Sequence, residues 1–243
     1  MAGAHVDDIL WCADPQYEKV MTEHLFKHFQ LNQVEEGSFR FCGREYTQGE
    51  DGGIYITCKN NTDKILPISF ERGSRGQEDK ATEGEIAQAR SVIGSLAWIA
   101  RQTRPDICYQ CSRLQSIVSV AKVKHLLQCN KVLHQAQATS DVGIYFKANA
   151  FTFDDAILLS IHDASWANDV KVIDERMFPR RSQYGRIQCL GHPDLWDGEH
   201  GAVHFIGWKS GLIRKTCRST FRAESQGCCY AMEVGVAIRA LLA

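Results

Sequence analysis

The sequence predicts an α+β protein, and three observations carry that prediction. An amphipathic four-residue period gives way to short alternating β-type runs between residues 17 and 58; three apolar helical stripes follow between 82 and 133; and beyond 149 several strand signals precede one long helical stripe. Strands and helices that sit in separate blocks belong to α+β chains rather than to regularly alternating α/β ones. The 243 residues are 44% hydrophobic and 23% charged, enough to build a core in one large domain or two modest ones.

In chain order, the first helix is expected after Asp14-Pro15, a common start signal, with Tyr17, Met21, Leu25 and Phe29 on one face. β-type runs are expected over 38–46 and 54–58, with glycine-rich 49–53 as the turn between them. Residues 70–80 are polar, glycine-bearing and free of apolar period, which reads as a joint. Thr82 and Glu85 then form a capping-box pattern, because the hydroxyl and the carboxylate can each satisfy an orphan backbone N–H. Ile86, Ala89, Ile93, Leu96, Ala97 and Ala100 make the stripe of the helix so started.

Pro105 suits the first turn of the next helix, with the stripe Ile107, Cys111, Leu114 and Val118. A third helix carries Val123, Leu126, Leu127 and Leu133, and the three suggest a small bundle. A second joint is expected over 140–149. Strands are expected over 156–161, 184–190 and 203–208, and the last helix presents Ala223, Gly227, Ala231, Val234, Ile238 and Leu241. The parts are therefore 1–70, 71–148 and 149–243.

Charge narrows the possible partners. Twenty-eight basic against 29 acidic residues give a formal charge of −1, so any nucleic-acid binding must come from a local patch. One such patch is visible: Lys209, Arg214, Lys215, Arg218 and Arg222 fall in fourteen residues without an acid. It reads equally as a phosphate-neutralising surface or as a solvated basic loop. The amino end has no apolar leader and no stretch is apolar enough to span a bilayer, so an intracellular protein, cytoplasmic or nuclear, without membrane contact is expected. Ten irregularly spaced cysteines fit reduced, mostly buried thiols better than a disulfide framework.

His5-Val6-Asp7-Asp8-Ile9-Leu10 places adjacent carboxylates in a β-prone run. Neighbours on a strand point to opposite faces, so Asp7 and Asp8 share a metal only if the backbone turns beside them, as in a tight hairpin. A bound Mg²⁺ would relieve their repulsion; a solvated Asp-Asp turn is the alternative. Cys108 and Cys111 form an isolated CxxC, and Cys189, His192, His200 and His204 sit around a glycine-rich stretch. Structural zinc needs four closed ligands, which weighs against the lone CxxC; in the second group nothing orders the intervening loop, and Asp194, Asp197 and Glu199 fit a plain insertion.

Taken together, several boxes resemble the Pol polyprotein of copia-type long-terminal-repeat retrotransposons. The run 6–10 is similar to that family's reverse transcriptase box, Phe41-Cys42-Gly43-Arg44-Glu45 to its following strand, and Thr103-Arg104-Pro105-Asp106-Ile107 and Ser112-Arg113-Leu114 to segments further on. His162-Asp163-Ala164-Ser165-Trp166, Ile206-Gly207-Trp208-Lys209-Ser210 and Ser219-Thr220-Phe221-Arg222-Ala223-Glu224 resemble its ribonuclease H part. The resemblance implies the end of a polymerase palm over 1–70, a helical thumb or connection over 71–148, and an incomplete ribonuclease H-like domain over 149–243.

It also implies nucleotidyl transfer at Asp7 and Asp8, RNA hydrolysis at Asp163 and Glu224, Mg²⁺ held by all four, and an RNA/DNA hybrid or template-primer duplex as partner. Asp163 and Glu224 are expected to meet. In the family the sites take further aspartates from neighbouring strands and helices, so this stretch is expected to be catalytically incomplete. The other reading is a non-catalytic nucleic-acid-binding or assembly remnant.

Overall fold

The computed structural model describes residues 2–6, 8–29, 34–169, 172–173, 176–177 and 181–242. It is a mixed α+β structure of small antiparallel sheets and six α-helices among the described residues. No helix among them is long and apolar enough to cross a membrane.

The chain opens with a hairpin of β1 (Ala2–His5) and β2 (Asp8–Trp11), closed by the pair His5↔Asp8. α1 (Pro15–His28) starts on Pro15 as its sequence predicts, and Phe29 falls just beyond its end. Its stripe packs poorly: Tyr17 and Phe29 are both more than half exposed.

The expected run 38–46 proves to be two strands. β3 (Ser38–Phe41) and β4 (Arg44–Gln48) form a hairpin through Cys42 (φ 50) and Gly43 (φ 76). Two consecutive left-handed residues make a tight turn whose twist suits a hairpin, so the Phe41–Glu45 box is a reversal rather than a strand. β5 (Ile54–Thr57) pairs with β4, and β6 (Ile144–Phe146) completes the sheet in the order β3-β4-β5-β6. Residues expected as a joint thus supply a strand. Tyr55 explains the capture: its hydroxyl donates to Asp141 O and accepts from Gly143 N, fixing the approach of a segment too short to show a period.

After the short α2 (Lys59–Asp63), α3 (Glu83–Gln102), α4 (Cys108–Ile117) and α5 (Val123–Ala138) form the expected bundle. α3 begins with the full capping box. Thr82 N donates to Glu85 Oε2 at 2.8 Å and Glu85 N to Thr82 Oγ1 at 3.3 Å. Ala89, Ile93, Leu96, Ala97, Ile107, Cys111, Leu114, Leu126 and Leu133 meet in one core, whereas Leu127 stays outside and Cys129, Val132 and Ala136 take the inner face of α5. Residues 70–80 are strapped to this bundle by Arg75–Glu85 and by Glu78 with Lys122 and Lys124.

The Thr103-Arg104-Pro105-Asp106 box is architectural. Arg104 is 2% exposed, pairs with both Asp106 oxygens, and donates to the Ala136 and Thr139 carbonyls at the end of α5. A guanidinium suits those orphan carbonyls because it brings several donors and a positive charge to the negative end of a helix. Pro105–Ile107 forms the 3-10 turn that leads into α4.

Beyond the bundle, β7 (Ile157–Asp169), β10 (Arg181–Gly191) and β11 (Val203–Leu212) form an antiparallel sheet in the order β11-β10-β7. Between them β8 (Val172–Ile173) and β9 (Arg176–Met177) pair as a small separate ribbon. α6 (Thr220–Leu242) lies on one face of the sheet, and α4 with the end of α3 lies on the other. Small residues let α6 approach: a Cβ on Gly227 would meet Ala164 Cβ at 3.3 Å, and one on Gly235 would meet Ser160 Oγ at 2.7 Å. On the opposite face Gln183 Nε2 donates to Ser112 Oγ of α4, and Trp208 Nε1 to Ala100 O of α3.

None of the ten cysteines is in a disulfide; five are buried and three half-buried. Burial pushes the Cys108 thiol up to about 11 and those of Cys111 and Cys129 up to about 12. Such thiols behave as small apolar packing groups.

Candidate nucleic-acid interface

The loop from β11 to α6 is pinned at two points while its charges project. Ile213 and Cys217 are buried at 1% and 6% exposure. Ile213 N donates to Ser182 O, and Trp166 Nε1 donates to Cys217 O at 3.0 Å. Ser219 Oγ then accepts from Arg222 N in the first turn of α6. Lys209, Arg214, Lys215, Arg218 and Arg222 are all exposed, and none makes a side-chain ion pair among the described residues. An anchored backbone carrying uncompensated cations is a surface prepared for anions, since little ordering entropy is lost when phosphates bind.

The carboxylates are arranged differently from the expectation. His162 and Ala164 face α6, as their contacts with the Gly227 position show. Asp163 lies between them on a strand, so its side chain stands on the other face of the sheet. Glu224, in the second turn of α6, approaches His162 instead, with Oε2 4.0 Å from Nδ1. The structure therefore brings Glu224 to His162, the residue next to Asp163 on β7. The sequence had marked Asp163 as following its strand; β7 in fact runs six residues further, and that length decides which way the carboxylate points.

At the amino end, the expected hairpin is present and Asp8 is exposed at the start of β2, while Asp7 lies outside the described residues. His5 packs edge-on to Phe41 with ring centroids 6.4 Å apart. Among the described residues no three His, Cys, Asp or Glu side chains stand together so as to hold a metal ion. Of the two carboxylate pairs expected to hold Mg²⁺, Asp7 of the first lies outside the described residues, and the second divides between β7 (Asp163) and α6 (Glu224).

The two sulfur-containing groups are dispersed as well. Cys108 and Cys111 serve the bundle, Cys189 is buried in the sheet, and His192 accepts from Asp194 N. His204 Nε2 accepts from Lys147 N, and its ring packs on Phe146 and Phe151. Sequence reading passed over His162 as a partner of Glu224. Its spacing of two from Ala164, the core position opposite α6, was the signal that places it on the helix side.

The chain is similar to the Pol polyproteins of two Arabidopsis thaliana transposons. It is 31% identical over 138 residues to the retrovirus-related Pol polyprotein from transposon RE1, and equally so to that from transposon RE2. The match covers 56% of this chain and only 8% of each polyprotein. No family model matches the chain, and no solved structure matches it.

Proposed function

We propose that the chain is a nucleic-acid-binding piece of a retrotransposon Pol-type polyprotein, drawn from the reverse transcriptase and ribonuclease H region, whose partner is an RNA/DNA hybrid or template-primer duplex. One observation carries the reading: five exposed cations without an ion pair among the described residues, Arg214, Lys215 and Arg218 on a loop that Ile213 and Cys217 hold in place, with Lys209 before it on β11 and Arg222 after it on α6. The similarity to two Pol polyproteins supports it. Binding of this kind reads phosphates rather than bases, so it positions a duplex without selecting its sequence.

Catalysis at Asp163 and Glu224 is left out of this reading: Glu224 approaches His162, and strand alternation turns Asp163 the other way from His162. Titration of a hybrid duplex at several salt concentrations tests the proposal. Three to five neutralised phosphates correspond to a slope of log affinity against log salt of roughly −3 to −4.5. Undetectable binding at low salt, or binding indifferent to salt, refutes it.

A further inference from the structure

We infer that the cleft between α4 and the sheet is a binding site for a small organic cation, an amine or amidine carried on a flat apolar body. The cleft encloses about 480 Å³, within the range of small-molecule sites. Its floor is Gly185, where an added Cβ would meet nothing within 4 Å. Cross-strand pairing arranges the floor in three rows: Ile161, Ile187 and Trp208; then Asp163, Gly185 and Ser210; then Ser165, Gln183 and Leu212. His162, Arg186 and Lys209 also border the cleft, but they belong to the alternate set, so their side chains stand toward the α6 face.

Successive rows are ~6.7 Å apart along a strand, about the length of a substituted aromatic ring. The first row is apolar, with the Trp208 indole held by its bond to Ala100 O, and Tyr109 of α4 offers a half-exposed ring at the rim. The next two rows are rich in acceptors. Asp163 is exposed and carries no ion pair among the described residues. Gln183 is 6% exposed, and while its amide nitrogen serves Ser112 and Ser210, its Oε1 has no hydrogen-bond partner. Gln183 Oε1 is itself buried, so Asp163 is the acceptor open to a ligand, and a carboxylate beside aromatic walls favours one that is positively charged and brings N–H groups. Lys209 borders both the cleft and the basic patch, whereas Arg214, Lys215 and Arg218 belong to the patch alone, so failure of this site and failure of duplex binding are separately readable.

The test uses the intact chain in EDTA, with benzamidine as probe and the neutral, nearly isosteric benzamide as control, followed by calorimetry and by amide shifts of the Gly185 region. Benzamidine is expected to saturate with a dissociation constant on the order of a millimolar, suitable for so small a ligand, and benzamide to bind ~10-fold more weakly or worse. Asp163→Asn is expected to weaken benzamidine by a similar factor, and Gly185→Val, which fills the floor, to abolish binding. Should the valine variant fail to fold, the exposed Asp163→Asn decides. Absence of saturable binding, equal binding of benzamide, or benzamidine binding unchanged in both variants overturns the inference.

Discussion

Glu224 Oε2 stands 4.0 Å from His162 Nδ1, on the helix side of the sheet, while the carboxylate of the next residue, Asp163, opens on the opposite side. One step along β7 thus separates two acidic groups that their sequence motifs pair. The helix side brings a carboxylate to an imidazole; the other side leaves a carboxylate at the cleft between α4 and the sheet.

That separation has a direct consequence for hybrid cleavage. The purified chain is expected to show no Mg²⁺-dependent cutting of RNA in a hybrid, and Asp163→Asn to leave that result unchanged. Metal-dependent cutting that the substitution removes would show that the two carboxylates converge on a metal after all.

Binding of a hybrid should respond to the loop in a graded way. Each of Arg214→Ala, Lys215→Ala and Arg218→Ala is expected to lower the magnitude of the salt slope by about 1 and to weaken affinity equally for unrelated sequences. Fluorescence anisotropy against two duplexes of different sequence reads both quantities. Unchanged slopes would make the loop a solvated surface.

Arg104 should behave as a structural residue. Arg104→Ala removes the donors that serve the end of α5 and is expected to cost about 2–4 kcal/mol in urea denaturation, with little recovery in Arg104→Lys. A lysine cannot reproduce a planar fork that holds Asp106 and Thr139 together. Equal stability of the wild type and the alanine variant would contradict this assignment.

Glu85 links stability to acid. Its bonds to Arg75 first, and then to the Thr82 backbone, hold its carboxyl down to about 2. Because the folded value lies below the ordinary one, the stabilisation is complete above about pH 4.5 and is lost as pH falls toward 2. Glu85→Gln is expected to cost about 1–2 kcal/mol at pH 7 and to flatten the pH dependence of the unfolding midpoint between those limits. The measurement is a set of thermal melts across that window; parallel curves for both proteins would dismiss the linkage.

Two glycines should give opposite results. A Cβ on Gly143 would drive into Ile56 O across the β5–β6 pair, whereas one on Gly185 meets open space. Gly143→Ala is expected to lose about 1–3 kcal/mol through strain on that pairing, and Gly185→Ala to be neutral or stabilising by about 0.5 kcal/mol. Comparable destabilisation of both variants would contradict the placement of β6.

Local chemistry alone determined much of this protein. Thr82 and Glu85 announce the start of α3, Pro15 and Pro105 announce their helices, and the apolar periods of α3 and α4 and the Ala223, Gly227 and Ala231 steps of α6 mark inner faces, whereas Leu127 of α5 and Leu241 of α6 fall outside, because each signal reads only neighbours within one turn. The Lys209 to Arg222 charge run was equally legible, since no ion pair among the described residues cancels it. Tertiary structure decided the rest. β6 exists because Tyr55 and β5 receive it, and the faces of Asp163 and Glu224 follow from the length and register of β7. Period two makes each strand residue's face a matter of parity, and parity is set by strands and a helix far away in the chain rather than by the carboxylate's own neighbours.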